Sequence, residues 1–154
     1  LCATLDRQHP RDIFDVRLLL DQGGRERSVF ECVLVYLLGH PRPVNEVRTP
    51  RMKSLEAIYH NEFIGMAITD IPLSQLEDVR HRLLKQLGQL VTDDDVNFLL
   101  SFKQGEPDWS LFPIADVDQL PAVMWKLANI RKMRTEKHAH ALEMLGEALQ
   151  KFKC

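Results

Sequence analysis

The sequence predicts an all-α fold, a single-domain bundle of about six or seven helices spanning residues 1–154. Three observations predict it. Apolar residues recur at three- and four-residue spacing along most of the chain, glycine and proline stand where helices would stop or start, and residues 33–36 alone could pass for a buried strand. A lone strand has nothing to pair with, and Phe30, Leu34, Leu37 and Leu38 fit helical spacing, so that stretch is read as helix too. A length of 154 residues, 45% hydrophobic and 27% charged, suits one globular domain and excludes disordered or collagenous classes.

The elements follow in order. Pro10 suits a first helical turn, and residues 11–20 carry Ile13, Phe14, Val16 and Leu18 to Leu20 before Gly23-Gly24 stops the helix. Residues 26–38 form a strongly apolar second helix, closed by Gly39, Pro41 and Pro43. After a connector at 43–50, a third helix over 55–66 places Leu55, Ile58, Tyr59, Phe63 and Met66 on one side. Ser74 with Glu77 has the form of a capping box, opening a helix striped by Leu76, Val79, Leu83, Leu84, Leu87 and Val91. Thr92 followed by Asp93-Asp94-Asp95 repeats the device, with carboxylates where the helix dipole favours them, and Phe98, Leu99 and Phe102 follow. Residues 105–118 are irregular but hold Trp109 and Phe112, which are costly to leave in water and are expected to pack on the core. Pro121 and Thr135 then open two last helices, through Ile130 and Leu149.

The net charge of −2 hides three blocks: residues 1–53 sum to +2, residues 54–120 to −8 and residues 121–154 to +4. The acidic middle is a poor nucleic-acid surface, so any such contact falls to the ends. Eight of the nine bases in the first block are arginines, whose planar fork suits phosphate or carboxylate. The plainer reading pairs them with Asp12, Asp15, Glu26 and other acids on solvated faces. The longest apolar run, 33–38, is far short of the roughly 20 residues that cross a bilayer, and no signal peptide is visible. The chain is read as soluble, and because Cys2, Cys32 and Cys154 suggest neither a disulfide framework nor a zinc knuckle, a reducing cytoplasm is the expected setting. The chain begins at Leu1 without an initiator methionine and is expected to be part of a longer protein.

The densest chemistry stands at the front, in Asp6-Arg7-Gln8-His9-Pro10-Arg11-Asp12-Ile13-Phe14-Asp15. Asp12 and Asp15, three apart at a helix start, can face the same way with Arg7 and Arg11 within a turn of them. Two acids can hold a divalent metal or orient a hydroxyl and two arginines can hold phosphates, which is the equipment of phosphoryl transfer. The competing reading is structural: acids satisfying a helix N-terminus, and Arg11 with Asp15 as an ordinary i,i+4 pair. Asp93-Asp94-Asp95 reads as helix-start chemistry, and His60-x-Glu62 and His138-x-His140 lack the companion ligands of a zinc site. No Gly-rich phosphate loop or nucleophile elbow occurs, and no metal-ligand set is assigned.

At these residues a resemblance adds to the physical reading. Ala3, Arg7, Pro10-Arg11-Asp12 and Phe14-Asp15 with the leucine run after them resemble the motif in the C-terminal half of the AbiEii-like nucleotidyltransferases, toxins of type IV toxin–antitoxin and abortive-infection systems. Asn61-Glu62-Phe63-x-Gly65-Met66, the stretch from Gly105 through Trp109 to Pro113, and Leu120-Pro121-Ala122-Val123-x-Trp125-Lys126-Leu127 are similar to one branch of that family. The resemblance implies transfer of a nucleotide from a nucleoside triphosphate, with magnesium, to an acceptor that in some members is tRNA, and a cognate antitoxin as partner. It implies Asp12 and Asp15 as catalytic residues and Arg7 and Arg11 as substrate-binding residues. The Gly-Ser turn and Asp-x-Asp pair of the family's N-terminal half are not in this sequence, and Asp93-Asp94-Asp95 cannot stand in for them. A family lysine just upstream of the motif would precede Leu1. The chain is therefore expected to be the helical C-terminal portion of a longer nucleotidyltransferase, inactive alone.

Two rival functions remain at this level. Arg131 with His138, and Arg134 with His140, are similar to the Arg-x-His motif of the helical HEPN ribonucleases, in which histidine and arginine act on the RNA phosphate. The other is a non-catalytic module whose charged ends contact an antitoxin or nucleic acid, with binding that weakens in salt and ignores Asp12 and Asp15.

Overall fold

The structure is a computed structural model, which describes residues 1–23, 26–44, 52–68 and 70–150. Among the described residues every regular element is helical and no strand occurs, as the periodicity predicts. The elements are α1 (Cys2–Asp6), α2 (Pro10–Asp21), α3 (Arg27–Gly39), α4 (Glu56–Ile58) running into a π-helical turn (Tyr59–Phe63), α5 (Leu73–Leu90), α6 (Asp93–Gln104), 3₁₀ turns at Trp109–Leu111 and Val117–Gln119, α7 (Pro121–Arg131) and α8 (Thr135–Gln150). No described helix is long and apolar enough to cross a membrane.

α2 lies along α5, and their buried faces, Ile13, Val16 and Leu20 on one and Leu76, Val79, Leu83 and Leu87 on the other, belong to a single apolar cluster. α3 is the central element: it touches α1, α5 and α7, and its Leu34 and Leu38 are wholly buried. The apolar sequence of α3 follows from having neighbours on several sides. α6 packs on α7 and α8, and Phe98 meets Phe112 with ring centroids 4.5 Å apart and Trp109 at 5.3 Å, so the aromatic loop does fold down onto the core.

Local signals place most helix ends. Thr92 and Asp95 form the reciprocal capping box, and Gly105, at φ +93°, closes α6 in the left-handed conformation that favours glycine. Three expectations need correction. α5 starts at Leu73 behind Pro72 with no side-chain cap, so the Ser74–Glu77 box does not form; the helix begins two residues earlier than a Ser74 cap would place it and Ser74 lies inside its first turn. The helix expected over 55–66 stops at Phe63: the Ile64 N–H bonds back to the Tyr59 carbonyl at 3.1 Å, a π turn, and Gly65 at φ +80° turns the chain outward. Met66 consequently leaves the core face and stands 54% exposed. Lastly, α1 precedes the first expected helix, which itself begins at Pro10. Gly24 and most of the 43–50 connector fall outside the described residues.

Candidate functional site

The front motif is assembled by the turn between α1 and α2. Gln8 takes φ +55° and is buried, an unusual backbone for a side chain with a Cβ. Its Oε1 compensates by accepting from the Lys53 backbone N–H at 3.1 Å and from Arg80 Nη1 at 3.0 Å, while Arg80 also donates to the Lys53 carbonyl at 2.8 Å. Burial draws the Arg80 guanidinium below its ordinary pKa, with Glu77 acting the other way. His9 is extended and caps α2: its Nδ1 accepts from the Arg11 backbone N–H at 3.2 Å. The neutral ring therefore keeps its proton on Nε2, which faces Glu62 Oε2 at 3.2 Å.

Arg7 Nη2 donates to Asp12 Oδ1 at 2.9 Å, the arginine largely in solvent and the carboxylate only 17% exposed. Asp12 Oδ2 is buried without a hydrogen-bond partner among the described residues. Arg11 and Asp15 are both exposed one turn apart on α2. Their expected i,i+4 pair does not form; Arg11 Nη2 lies 3.2 Å from Met66 Sδ instead. The π turn that ends the fourth helix early is what delivers Met66 to that position. Thus two stretches far apart in sequence, the Arg-Asp motif and Asn61 to Met66, meet through His9–Glu62 and Arg11–Met66. On the other side of Met66 a groove of about 630 Å³ opens, lined by Phe14, Arg17, Leu18, Met66, Ile68 and Ile71 among others, though not by Arg11 itself.

A cationic rim joins the motif from elements that carried no local signal. Arg42 pairs with Asp6, His40 Nε2 lies 3.8 Å from the same carboxylate, and Lys53 Nζ reaches the carbonyls of Asp6 (3.3 Å) and Arg7 (3.5 Å). Lys126 of α7 donates to the carbonyls of His40 and Arg42 beyond the end of α3. Burial, and then the charge of Lys103, lowers its pKa to about 8.

For several arginines the plainer reading holds. Arg17 pairs with Asp21, Arg42 with Asp6, and Arg27 with Glu31 and Asp95. Asp95 confirms the helix-start reading of its triplet, since both of its oxygens receive Arg27 at 2.6 Å. Of the second arginine–histidine constellation, Arg131 Nε is spent on the Gly105 carbonyl at 2.8 Å and His138 Nε2 on that of Lys103 at 2.6 Å, whereas Arg134 and His140 stay at the surface. Among the described residues no group of three or more histidine, cysteine or acidic side chains converges as a metal site. Asp12 and Asp15, one turn apart on α2, are by themselves fewer than such a group.

Arginine and aspartate thus stand side by side at the start of one helix, and a groove the size of a small ligand opens further along the same helix. Residues 1–129 match the family described as nucleotidyl transferase AbiEii toxin of the type IV toxin–antitoxin system, and the chain belongs to that family. No curated protein and no solved structure matches it.

Proposed function

We propose that this chain is the helical portion of a nucleotidyltransferase toxin, in which Arg7 and Arg11 hold the triphosphate of a nucleoside triphosphate or the acceptor, tRNA being the acceptor class proposed. Asp12 and Asp15 face the reacting groups. The observation that carries the reading is the carboxylate of Asp12: one oxygen is anchored by Arg7, the other is buried and unsatisfied, and Arg11 and Asp15 stand exposed one turn apart on the same helix. A buried acceptor atom without a donor costs about 1–3 kcal/mol, and such a cost is supported where a ligand supplies the missing partner. The groove further along α2, which Met66 connects to Arg11, offers apolar surface for a nucleobase. Magnesium belongs to the chemistry of the family, and with only two carboxylates here its main ligands are proposed to lie in another part of the enzyme. A cognate antitoxin is the proposed protein partner.

The test has two arms. The isolated chain, given labelled nucleoside triphosphates, magnesium and tRNA, forms no labelled product; robust labelling would overturn its dependence on another part of the enzyme. In the protein encoded by the complete reading frame, Asp15→Ala lowers transfer by about a hundredfold or more without changing thermal unfolding. Retained activity would make the acid structural.

A further inference from the structure

Between residues 120 and 142 stand five bases and a single acid, Glu136. Two of the bases are committed within the fold, Lys126 to the carbonyls of His40 and Arg42 and Arg131 to that of Gly105. Lys132, Arg134 and Lys137 are exposed and their side chains have no partner among the described residues. They follow one another through the corner where α7 gives way to α8. Elsewhere in the described chain arginine is commonly matched to acid, as Arg7, Arg17, Arg27, Arg42 and Arg82 show, so an unmatched basic corner in a chain of net charge −2 is a local exception.

The same corner presents an aromatic face. Trp125 is 60% exposed, and Trp125, Ala128 and Asn129 are spaced i, i+3 and i+4 on one side of α7, with Lys132, the residue that caps its end, continuing the same spacing; all four are exposed. The chain's other tryptophan, Trp109, is packed among Phe98, Phe102 and Phe112, where an aromatic side chain gains from burial. An exposed indole in line with a lysine, with two further cations following, matches the chemistry of single-stranded nucleic acid: a π-face on which a base stacks and charges spaced along the phosphates. An acidic protein could also use both the cations and the indole, but the series of unmatched charges running on from the indole is what a stacked, charged strand requires, and competition by polyglutamate separates the two.

We infer that the α7–α8 corner, through Trp125, Lys132, Arg134 and Lys137, is a binding surface for single-stranded RNA. The charge and the indole carry the polynucleotide; the choice of RNA over DNA rests on the transferase reading above. The corner shares no residue with the Arg7–Asp15 motif, so the two readings fail separately.

Fluorescence anisotropy of a labelled oligouridine against the protein tests it. Wild type binds with an affinity that falls with salt. The triple substitution K132E/R134E/K137E weakens binding at least tenfold and lowers the magnitude of the log–log salt slope by about 2, the value for three lost phosphate contacts. Trp125→Ala costs about tenfold, and Trp125→Phe keeps most of the affinity. Thermal unfolding of each variant checks the fold. Unchanged affinity in the triple variant overturns the surface. Polyglutamate competing as well as oligouridine would reassign it to an acidic protein, and an oligodeoxythymidine binding equally well would remove the assignment to RNA.

Discussion

Lys126 shows how one side chain can set a pH response. Its ammonium is held among carbonyls beyond the end of α3, where it completes acceptors that a helix terminus leaves open, yet burial lowers its pKa to about 8 from an ordinary 10.5. The folded protein therefore releases this proton before the unfolded chain does, and between those two values the unfolded state holds more protons. Stability should rise with pH across that window, by up to about 3 kcal/mol in all. Urea unfolding at a series of pH values, compared with Lys126→Met, isolates the effect from other titrating groups: the difference between the two proteins should widen from pH 8 upward. Parallel curves would show that Lys126 keeps an ordinary pKa. That Arg7, Arg11, Asp12 and Asp15 lie near one another was legible from their spacing, although the i,i+4 pair it suggested, Arg11 with Asp15, does not form; the placement of Lys126 on His40 and Arg42, some 84 residues earlier, has no local signature.

Between elements, α3 and α7 approach closely at Gly39. A Cβ built at Gly39 would lie 2.9 Å from the Cβ of Ala122, a distance that real contacts essentially never show. Both residues are short because the helices cross there, and a methyl group attached to a backbone cannot swing aside. Gly39→Ala should destabilise the protein by about 1–3 kcal/mol despite alanine's higher helix propensity. The double variant Gly39→Ala with Ala122→Gly should recover more than half of the loss, read by denaturant midpoints. Equal losses in the single and double variants would mean that the helices do not meet at this point. Gly39 could be read from sequence as a helix stop, which it is, since α3 ends there; its second role as a crossing point depends on a residue 83 positions later. The π turn at Tyr59–Phe63 is similar: the apolar spacing of Leu55, Tyr59 and Phe63 was visible, but the early exit that sends Met66 to Arg11 was not.

At the scale of the whole molecule, Arg27 ties three helices together. It donates to Asp95 of α6 through both terminal nitrogens, to Glu31 on its own helix, and to the Leu90 carbonyl at the end of α5 at 2.8 Å, while lying over the ring of Phe30. Burial works against the Asp95 carboxylate, but hydrogen bonds from Arg27 and Thr92 outweigh it and hold its pKa below the usual carboxylate range. A depressed carboxyl contributes stability that is complete above its unfolded pKa and is lost as pH falls through the folded one. Asp95→Asn should therefore cost about 3 kcal/mol at neutral pH and flatten the acid limb of the stability profile. A variant with the wild-type acid transition would remove Asp95 from that role. The value lies at the low end for a buried pair because Arg27 remains one-third exposed.

The sequence by itself determined the helical class, most helix ends, the capping box at Thr92 and the neighbourhood of Arg7, Arg11, Asp12 and Asp15, because each of these depends on residues within about one helical turn of each other. It also determined the family, which matches over residues 1–129 and whose motifs are each read from a few neighbouring residues. Only the tertiary structure decided which side of that motif is closed and which is open. His9 on Glu62, Gln8 on Arg80, Arg42 on Asp6 and the unsatisfied oxygen of Asp12 all arise where elements distant in sequence pack together. Burial and hydrogen-bond partners are properties of that packing, and periodicity along a chain states which face turns inward but not what it meets there.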